Sequence, residues 1–464
     1  MKQHTTEKRP WAMLPVILAL AWPTMLEQLL QTAVQYIDTA MVGALGTHAT
    51  AAVGSTTTVN WLIGSSLSAL GVGFLAYISQ ACGAGERSRA VRASAQAVLT
   101  VLVVGLLFTA LTLGLSPVIP VWMQVEEGIQ DLAARYFFIL YLPMLPRTAS
   151  IIFGTVLRAV GDTKTPLRVG IMVNIINVVL NFILIYPTRT VVLFGHSLVL
   201  WGAGWGISGA AAASAAAFTV GGVCMTAALW RHSDISPRRQ QIRPDPQVLR
   251  PCLKVALPNM LQRFGTSLGY VAFAAMINSL GEVSTAAHTI ANTVESAFYI
   301  PGYGMQTAAA TLAGNALGAK DRRQMKELVR TMIPIETVLM VLSGGLLFWL
   351  APAMMGLFSD SPQVIALGTT VLRMVALSEP AYGFSIIIEG MMQGVGRTGT
   401  PFVFNMIGMW GVRIVGTFLC IRLWHMGLVS AWACMILHNL LLFALFVVHF
   451  VRGRWNPLQE KRRP

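Results

Sequence analysis

The chain has 464 residues, of which 55% are hydrophobic and only 11% are charged, and its formal net charge is +14. A soluble protein of this length would carry about 25% charged residues. Many apolar runs reach about 20 residues, enough to cross roughly 30 Å of hydrocarbon. This composition indicates an all-α, polytopic integral membrane protein and disfavours short alternating barrel strands. The five cysteines have no metal-ligand spacing and no disulfide pattern, so we predict neither a metal–cysteine site nor a disulfide framework.

The apolar runs predict twelve transmembrane helices. In chain order we expect them at residues 13–40, 50–80, 91–116, 130–157, 166–187, 203–230, 252–279, 284–314, 327–353, 364–394, 401–421 and 424–451. The first run is longer than the apolar core of a signal peptide and has no small-residue cleavage site, so we interpret it as a retained helix.

Basic residues fall almost entirely into alternate connections between these helices. One side carries the N-terminus, GERSRAVR, RAVGDTKTPLR, RHSDISPRRQQIRPDPQVLR, KDRRQMKELVR and the tail RGRWNPLQEKRRP. The other side carries few, such as Arg189 and Arg422. Because this bias sets orientation, we predict that both termini are cytoplasmic and that the 188–200 loop is external. The net positive charge then faces anionic lipid of the bilayer, and we expect no nucleic-acid partner.

The sequence repeats itself with a shift of 235 residues. The shift pairs Pro23 with Pro258 and VGDTKTP (160–166) with VGRTGTP (395–401). Each half then holds six helices, and the even number gives both halves the same orientation. We predict two pseudo-symmetric six-helix bundles facing a central cleft, as in an alternating-access transporter. The predicted segments are an N-terminal bundle (1–230), a cytoplasmic linker (231–250), a C-terminal bundle (251–452) and a basic cytoplasmic tail (453–464).

Several motifs, in their order and spacing, carry a family resemblance. They are the stretch from Pro23 to Gly46 ending in DTAMVGALG, the GAG and GAK turns after helices 2 and 8, NIINVVLNFILIYP, GISGAAAASAAA and WGVRIVG. From about residue 12 to residue 450 the chain resembles the multidrug and toxic compound extrusion (MATE) transporters, in particular their bacterial NorM-like and DinF-like members. The resemblance implies a monomer in the bacterial inner membrane that exports cationic, amphipathic compounds in exchange for protons or sodium ions, with no other cofactor.

Helix 1 carries three polar residues on one face. Glu27, Gln31 and Asp38 stand at i, i+4 and i+11, within about 40° of one another around the helix. A carboxylate near mid-bilayer costs roughly 2.5–3.5 kcal/mol on insertion scales, so such a face points at another polar face or at water. We predict that Glu27 and Asp38 serve ion coupling and that Gln31 contacts substrate.

Helix 5 offers a second polar face, with Asn174, Asn177 and Asn181 at i, i+3 and i+7. In some MATE transporters an ion site joins the helix-1 aspartate to two polar residues of helix 5 and a hydroxyl of helix 6. The resemblance implies Asp38, Asn177, Asn181 and Ser214 in this chain. The chain departs from that pattern at Asn181, where some members have a second aspartate. Either a proton or a sodium ion fits a lone carboxylate among amides. The alternative is that Asp38 only accepts hydrogen bonds from the neighbouring asparagines and has no role in coupling.

The C-terminal half has a different set of polar residues, because Gln262 occupies the repeat position of Glu27. Carboxylates and aromatic faces attract cations, and methionine suits a promiscuous surface. The predicted substrate contacts in this half are therefore Gln262, Tyr270, Phe273, Glu295, Glu389, Met391 and Met392. Packing or ion pairing is the alternative for each of them. Pro23 and Pro258 are predicted hinges, because proline removes a helical hydrogen bond.

Two other classes of protein remain as alternatives. A flippase for lipid-linked precursors or polysaccharides would share this helical plan, but it would need a strongly cationic cleft. Arg147, Arg263 and Arg413 are the arginines we place inside spans, and carboxylates accompany them. An integral-membrane transferase would need clustered acids or histidines, whereas the eight histidines are scattered. No Walker loop, HExxH motif or nucleophile elbow occurs, so we predict a protein that is not an enzyme.

Overall fold

A computed structural model gives the structure of residues 13–123, 125–193 and 196–459. Its helices are α1 (Leu14–Gly43), α2 (Thr47–Gly83), α3 (Arg87–Leu115), α4 (Ile119–Trp122), α5 (Glu127–Tyr141), α6 (Met144–Ala159), α7 (Lys164–Leu184), α8 (Ile207–Arg231), α9 (Pro246–Asn278), α10 (Glu282–Gly318), α11 (Arg322–Phe358), α12 (Pro362–Ala376), α13 (Glu379–Gly394), α14 (Gly399–Met406), α15 (Val415–Phe418) and α16 (Leu428–Val451). The π-helical segment Ile407–Ile414 joins α14 to α15, and a second one, Leu419–Leu423, extends α15, so Gly399–Leu423 is one continuous helix. The predicted basic residues at 1–12 and 460–464 lie outside the described residues.

The length and composition of these helices confirm an all-α, multi-pass membrane protein. Within the described residues, eight helices are long and apolar enough to span a bilayer, and ten spans result if each of two bent pairs is one span. The pairs α5–α6 and α12–α13 bend by 52° and 54°. Helices α9 and α10, with 33 and 37 residues, are long enough but more polar. The count of twelve therefore stays a prediction.

The helix boundaries repeat with the same shift as the sequence. Moving α2, α5 and α6 by 235 residues reproduces the first and last residues of α10, α12 and α13. The last residue of α1, Gly43, likewise maps onto Asn278, which ends α9. The internal repeat is therefore a property of the fold as well as of the sequence.

The segment predicted as an external loop forms an antiparallel hairpin. Strand β1 (Pro187–Leu193) pairs with strand β2 (His196–Ala203), and Arg189 lies opposite Leu200. Both strands are rich in β-branched and other apolar residues, which favour a pleated strand once the helical pattern ends. The following helix, α8, accordingly begins at Ile207 instead of the predicted residue 203.

The described chain forms two compact units. Unit 1 comprises α1 up to Leu26, the segment Leu75–Glu86 and the chain from Lys254 onward, and unit 2 comprises Glu27–Phe74 and Arg87–Leu253. These units do not coincide with the repeat halves, because the start of α1 and the end of α2 group with the second half.

Close packing explains why those two segments belong to unit 1. Ile17 and Ala21 of α1 are fully buried in a core with Met305 and Leu312 of α10. At the end of α2, a Cβ on Gly83 would collide with the backbone carbonyl of Asn315. Glycine therefore allows the two backbones to approach, as small residues do in membrane helix pairs.

The predicted orientation can be tested directly. We expect a reporter fused after Pro464 or inserted at Arg239 to be cytoplasmic, and one inserted in the 188–200 segment to be external. The reason is that the arginine- and lysine-rich connections stay on the cytoplasmic side. Protease protection of the same tags in sealed vesicles is the control. Termini on opposite faces of the membrane would exclude the twelve-helix arrangement.

Candidate ion-binding and substrate-binding sites

The carboxylate of Asp38 is the centre of a hydrogen-bonded cluster in unit 2. The Asn181 amide nitrogen donates to Asp38 Oδ1 at 2.6 Å. With the Asn177 amide turned so that its nitrogen faces the carboxylate, it donates to Asp38 Oδ1 at 2.8 Å. In the same orientation its oxygen accepts from Ser214 Oγ at 3.0 Å. The structure thus brings together four residues predicted for the ion site.

Local sequence explains this geometry. Asn177 and Asn181 are one helical turn apart on α7, so both face the same side, and both are buried. Helix α8 supplies Ser214 from a glycine- and alanine-rich stretch, and a Cβ on Gly209 would collide with the Leu184 carbonyl of α7. Small residues therefore let α8 pack close enough for the serine hydroxyl to reach Asn177.

The atoms of this cluster suit a proton or a single hard cation. Asp38, Asn177 and Ser214 contribute carboxylate, amide and hydroxyl oxygens, which are ligands for hard cations. Asn181 Oδ1 is buried and has no hydrogen-bond partner in the described part of the chain. No group of three or more His, Cys, Asp or Glu residues that could hold a metal ion occurs among the described residues. One carboxylate among amide and hydroxyl groups can therefore hold a proton or one monovalent cation.

Asn174 and Gln31 take no part in the hydrogen bonds described for this cluster. Asn174 is half-buried about one turn before Asn177 on α7. Gln31 is exposed on α1. Their roles in ion coupling and substrate binding stay predictions.

Glu27, the second acid of helix 1, has a strong partner that sequence reasoning missed. The Arg158 guanidinium donates to both carboxylate oxygens at 2.6 Å, and the Glu27 side chain is only 8% exposed. Sequence reasoning placed Arg158 in a cytoplasmic connection, but it lies in the last turn of α6. The face predicted from Glu27, Gln31 and Asp38 therefore contains one ion-paired acid and one amide-bound acid.

The internal repeat is the sequence signal that could have pointed to this ion pair. It also leads to an equivalent polar contact in unit 1. The shift of 235 residues maps Glu27 onto Gln262 and Arg158 onto Gln393. Both glutamines donate to Glu389 Oε1, at 2.9 Å and 3.3 Å. Amides thus replace the ion pair, and the predicted substrate residues Gln262 and Glu389 bind each other.

A buried arginine also occupies unit 2. The Arg147 guanidinium donates to Asn60 Oδ1 at 2.7 Å and lies 4.7 Å from the centre of the Phe218 ring. The Tyr141 hydroxyl donates to the same Asn60 oxygen at 2.8 Å. Amide and aromatic partners therefore stabilise this charge without a carboxylate within ion-pair distance among the described residues.

Arg413 meets two of the predicted substrate aromatics in unit 1. Its guanidinium carbon lies 4.8 Å from the ring centre of Tyr270 and 4.2 Å from that of Phe273. Tyr270 is partly exposed, whereas Phe273 is buried. Glu295, predicted to meet a cationic substrate, is buried and attracted electrostatically by Arg413. Arg413 therefore already interacts with the Glu295 carboxylate and the aromatic rings that we predicted to contact a cationic substrate.

The remaining predicted residues lie in helix interiors or in the core. Met391 and Met392 are 0% exposed and belong to a hydrophobic core of unit 1. This position favours packing over a substrate surface, because no face of either side chain reaches solvent. Pro23 is buried and Pro258 half-buried, and α1 and α9 continue as helices through them.

Comparison with known proteins agrees with this arrangement. The MatE family model matches residues 23–183 and 258–419, one match in each repeat. A Thermotoga maritima protein named "Probable multidrug resistance protein NorM" is 26% identical over 95% of this chain and 92% of its own length. A Bacillus subtilis protein named "Probable multidrug resistance protein YoeA" is 25% identical over 93% of this chain and 91% of its own length.

Solved structures show the same fold. A structure titled as the outward-facing conformation of a multidrug resistance MATE family transporter aligns with a TM-score of 0.87 at 21% identity, over 96% of both chains. A MATE structure in complex with MaL6 aligns with a TM-score of 0.85 at 21% identity, over 96% of this chain and 97% of the other. The fold is therefore that of an all-α membrane transporter. The two family matches cover more than half of the chain, and the protein belongs to the MatE family.

Proposed function

We propose that this protein exports cationic, amphipathic compounds from the cell by antiport against protons or sodium ions. The observation that carries the proposal is the Asp38 carboxylate, held by the amides of Asn177 and Asn181 inside unit 2. The names of the relatives, which refer to multidrug resistance, support the substrate class. The protein would act as a multi-pass protein of the bacterial inner membrane, with both termini in the cytoplasm.

The neighbouring charges support Asp38 as the residue that responds to the ion. Arg158 compensates Glu27 at 2.6 Å, so Glu27 offers no free negative charge. Among the described residues, the hydrogen-bond donors to Asp38 are amides, whose neutral groups do not compensate its charge. A bound proton or sodium ion therefore changes the net charge of this part of unit 2.

Coupling follows if the coupling ion and the substrate favour different forms of this site. With Asp38 ionised, negative charge favours loading of a cation. When the ion binds, the charge is lost and the hydrogen bonds from α7 to α1 weaken. Such a change drives exchange only if the ion binds one conformation better than the other.

A hinge in α1 gives a second test of this proposal. Helix α1 passes from unit 1 to unit 2 between Leu26 and Glu27, within one turn of Pro23. We expect Pro23→Ala to insert normally but to transport several-fold more slowly, because the restored hydrogen bond resists bending. Initial rates of dye efflux at matched protein level measure this. Pro334→Ala is the control, since Pro334 lies inside α11, which belongs wholly to unit 1. A wild-type rate in Pro23→Ala would leave Pro23 only a packing role.

Transport in proteoliposomes tests the proposed function as a whole. Purified protein is reconstituted, and a proton or a sodium gradient is imposed one at a time with ethidium as the probe cation. We expect uphill ethidium movement with one of the two gradients and none in protein-free liposomes. Movement of ethidium only down its own gradient would contradict antiport.

A further inference from the structure

A second buried carboxyl, Glu336 of α11, lies in unit 1 without a hydrogen-bond partner among the described residues. The residue is 0% exposed. Neither carboxyl oxygen has a hydrogen-bond partner among the described residues. An ion pair or a hydrogen bond is the usual reason for a buried acid, and neither is present here.

Two glycines make room for this carboxyl group. A Cβ on Gly302 of α10 would lie 2.9 Å from Glu336 Oε1, and one on Gly383 of α13 would lie 3.2 Å from the same atom. The other side chains next to these glycines are Met340 and Ile386. Three helices therefore enclose the acid in an apolar pocket that exists because both positions lack a side chain.

These surroundings decide which form of the acid can occupy the pocket. An ionised carboxylate buried without a partner would cost several kcal/mol, so the neutral acid is the form that fits. A hard cation is a poor alternative, because it needs several oxygen ligands and the neighbours are methionine and isoleucine.

The ionisable groups of the neighbouring helices do not change the conclusion that the neutral form of Glu336 fits the pocket. Helices α10, α12 and α13 pack against α11. Their ionisable side chains nearest to the pocket along these helices are Glu295, Tyr299, Tyr303, Arg373, Glu379 and Tyr382. None of these groups forms a hydrogen bond with either Glu336 oxygen in the described part of the chain.

We propose that Glu336 is a second proton-binding site, in unit 1, which gives up its proton when α10, α11 and α13 part and admit water. A buried acid without a partner does not stabilise a fold, so its presence inside a membrane indicates a function. The inference deepens the proposed antiport and rests on it, since the proton is released as the substrate binds. It adds one exchangeable proton to the ion held at Asp38.

Infrared spectroscopy tests the first half of this inference. We expect a protonated-carboxyl C=O band at neutral pH that disappears in Glu336→Gln and persists in Glu327→Gln and Asp38→Asn. Glu327 is the matched control, because it lies on the same helix in an exposed ion pair with Arg323. A Glu336→Gln spectrum identical to that of the wild type would overturn the site.

Proton release on adding ethidium to purified protein in weak buffer tests the second half. We expect Glu336→Gln to release one proton fewer per protein molecule than the wild type and Glu327→Gln to match the wild type. Equal release from Glu336→Gln and the wild type would mean a permanently protonated acid and would overturn the exchange. A deficit in Glu336→Gln together with normal release from Asp38→Asn would support Glu336 and contradict proton coupling at Asp38.

Discussion

Asp38→Asn is expected to insert and accumulate like the wild type but to lose gradient-driven dye export. Asparagine has the shape of the neutral acid and cannot change its charge, so ion binding no longer alters the hydrogen bonds from Asn181 and Asn177. We expect efflux from cells to fall to the level of cells without the protein, at matched protein amounts. The matched control is Asp131→Asn, an exposed acid on α5 in unit 2, which should export at the wild-type rate. Wild-type efflux by Asp38→Asn would place the coupling site elsewhere, with Glu336, Glu295 and Glu389 the next residues to test.

Removing Glu27 alone should cause the largest loss of stability among the substitutions considered. Glu27→Leu removes the carboxylate that accepts from the Arg158 guanidinium at 2.6 Å. Breaking a buried ion pair from one side costs about 3–5 kcal/mol, and the 18% exposure of the Arg158 side chain puts the expected loss near the lower end. The thermal-unfolding midpoint of the purified protein in detergent measures the effect.

A double substitution tests whether the broken ion pair causes the loss of stability in Glu27→Leu. Glu27→Leu with Arg158→Leu removes both charges, and we expect most of the stability to return. The exposed pair Arg323–Glu327 is the control, since breaking it should cost less than about 1 kcal/mol. If the double variant were as unstable as Glu27→Leu alone, the loss would come from packing and not from the broken ion pair.

The sequence predicted the membrane class, the repeat and the polar faces of helices 1 and 5 because each of these leaves a regular pattern, and the family resemblance implied which residues adjoin Asp38. Apolar length determines which segments can cross a bilayer. The one-turn spacing of Asn177 and Asn181 places both on one face of a helix. Ser214 was implied by the family resemblance, and the structure shows that the small residues around it allow close packing of α8 against α7.

Other features left no such pattern. Arg158 stands at a predicted helix end, where a basic residue indicates topology, so its ion pair with Glu27 was missed. Met391 and Met392 could line a cavity or fill a core, because every face of a membrane helix can be apolar. Glu336 is a single acid in an apolar run, and only the structure shows that Gly302 and Gly383 lie against it and that its carboxyl group has no hydrogen-bond partner among the described residues.

The central claim, that the coupling ion and the substrate compete through Asp38, is tested most directly by equilibrium binding. The Kd of ethidium is measured for purified wild-type protein and Asp38→Asn while the proton concentration and the sodium concentration are varied separately. We predict that raising the concentration of the coupling ion weakens ethidium binding to the wild type, because the ion removes the negative charge that favours the cation. Asp38→Asn should lose the part of this dependence that comes from Asp38; if the ion is the proton, only the dependence due to Glu336 should remain, and adding Glu336→Gln should remove it. An unchanged ion dependence in Asp38→Asn would contradict the account.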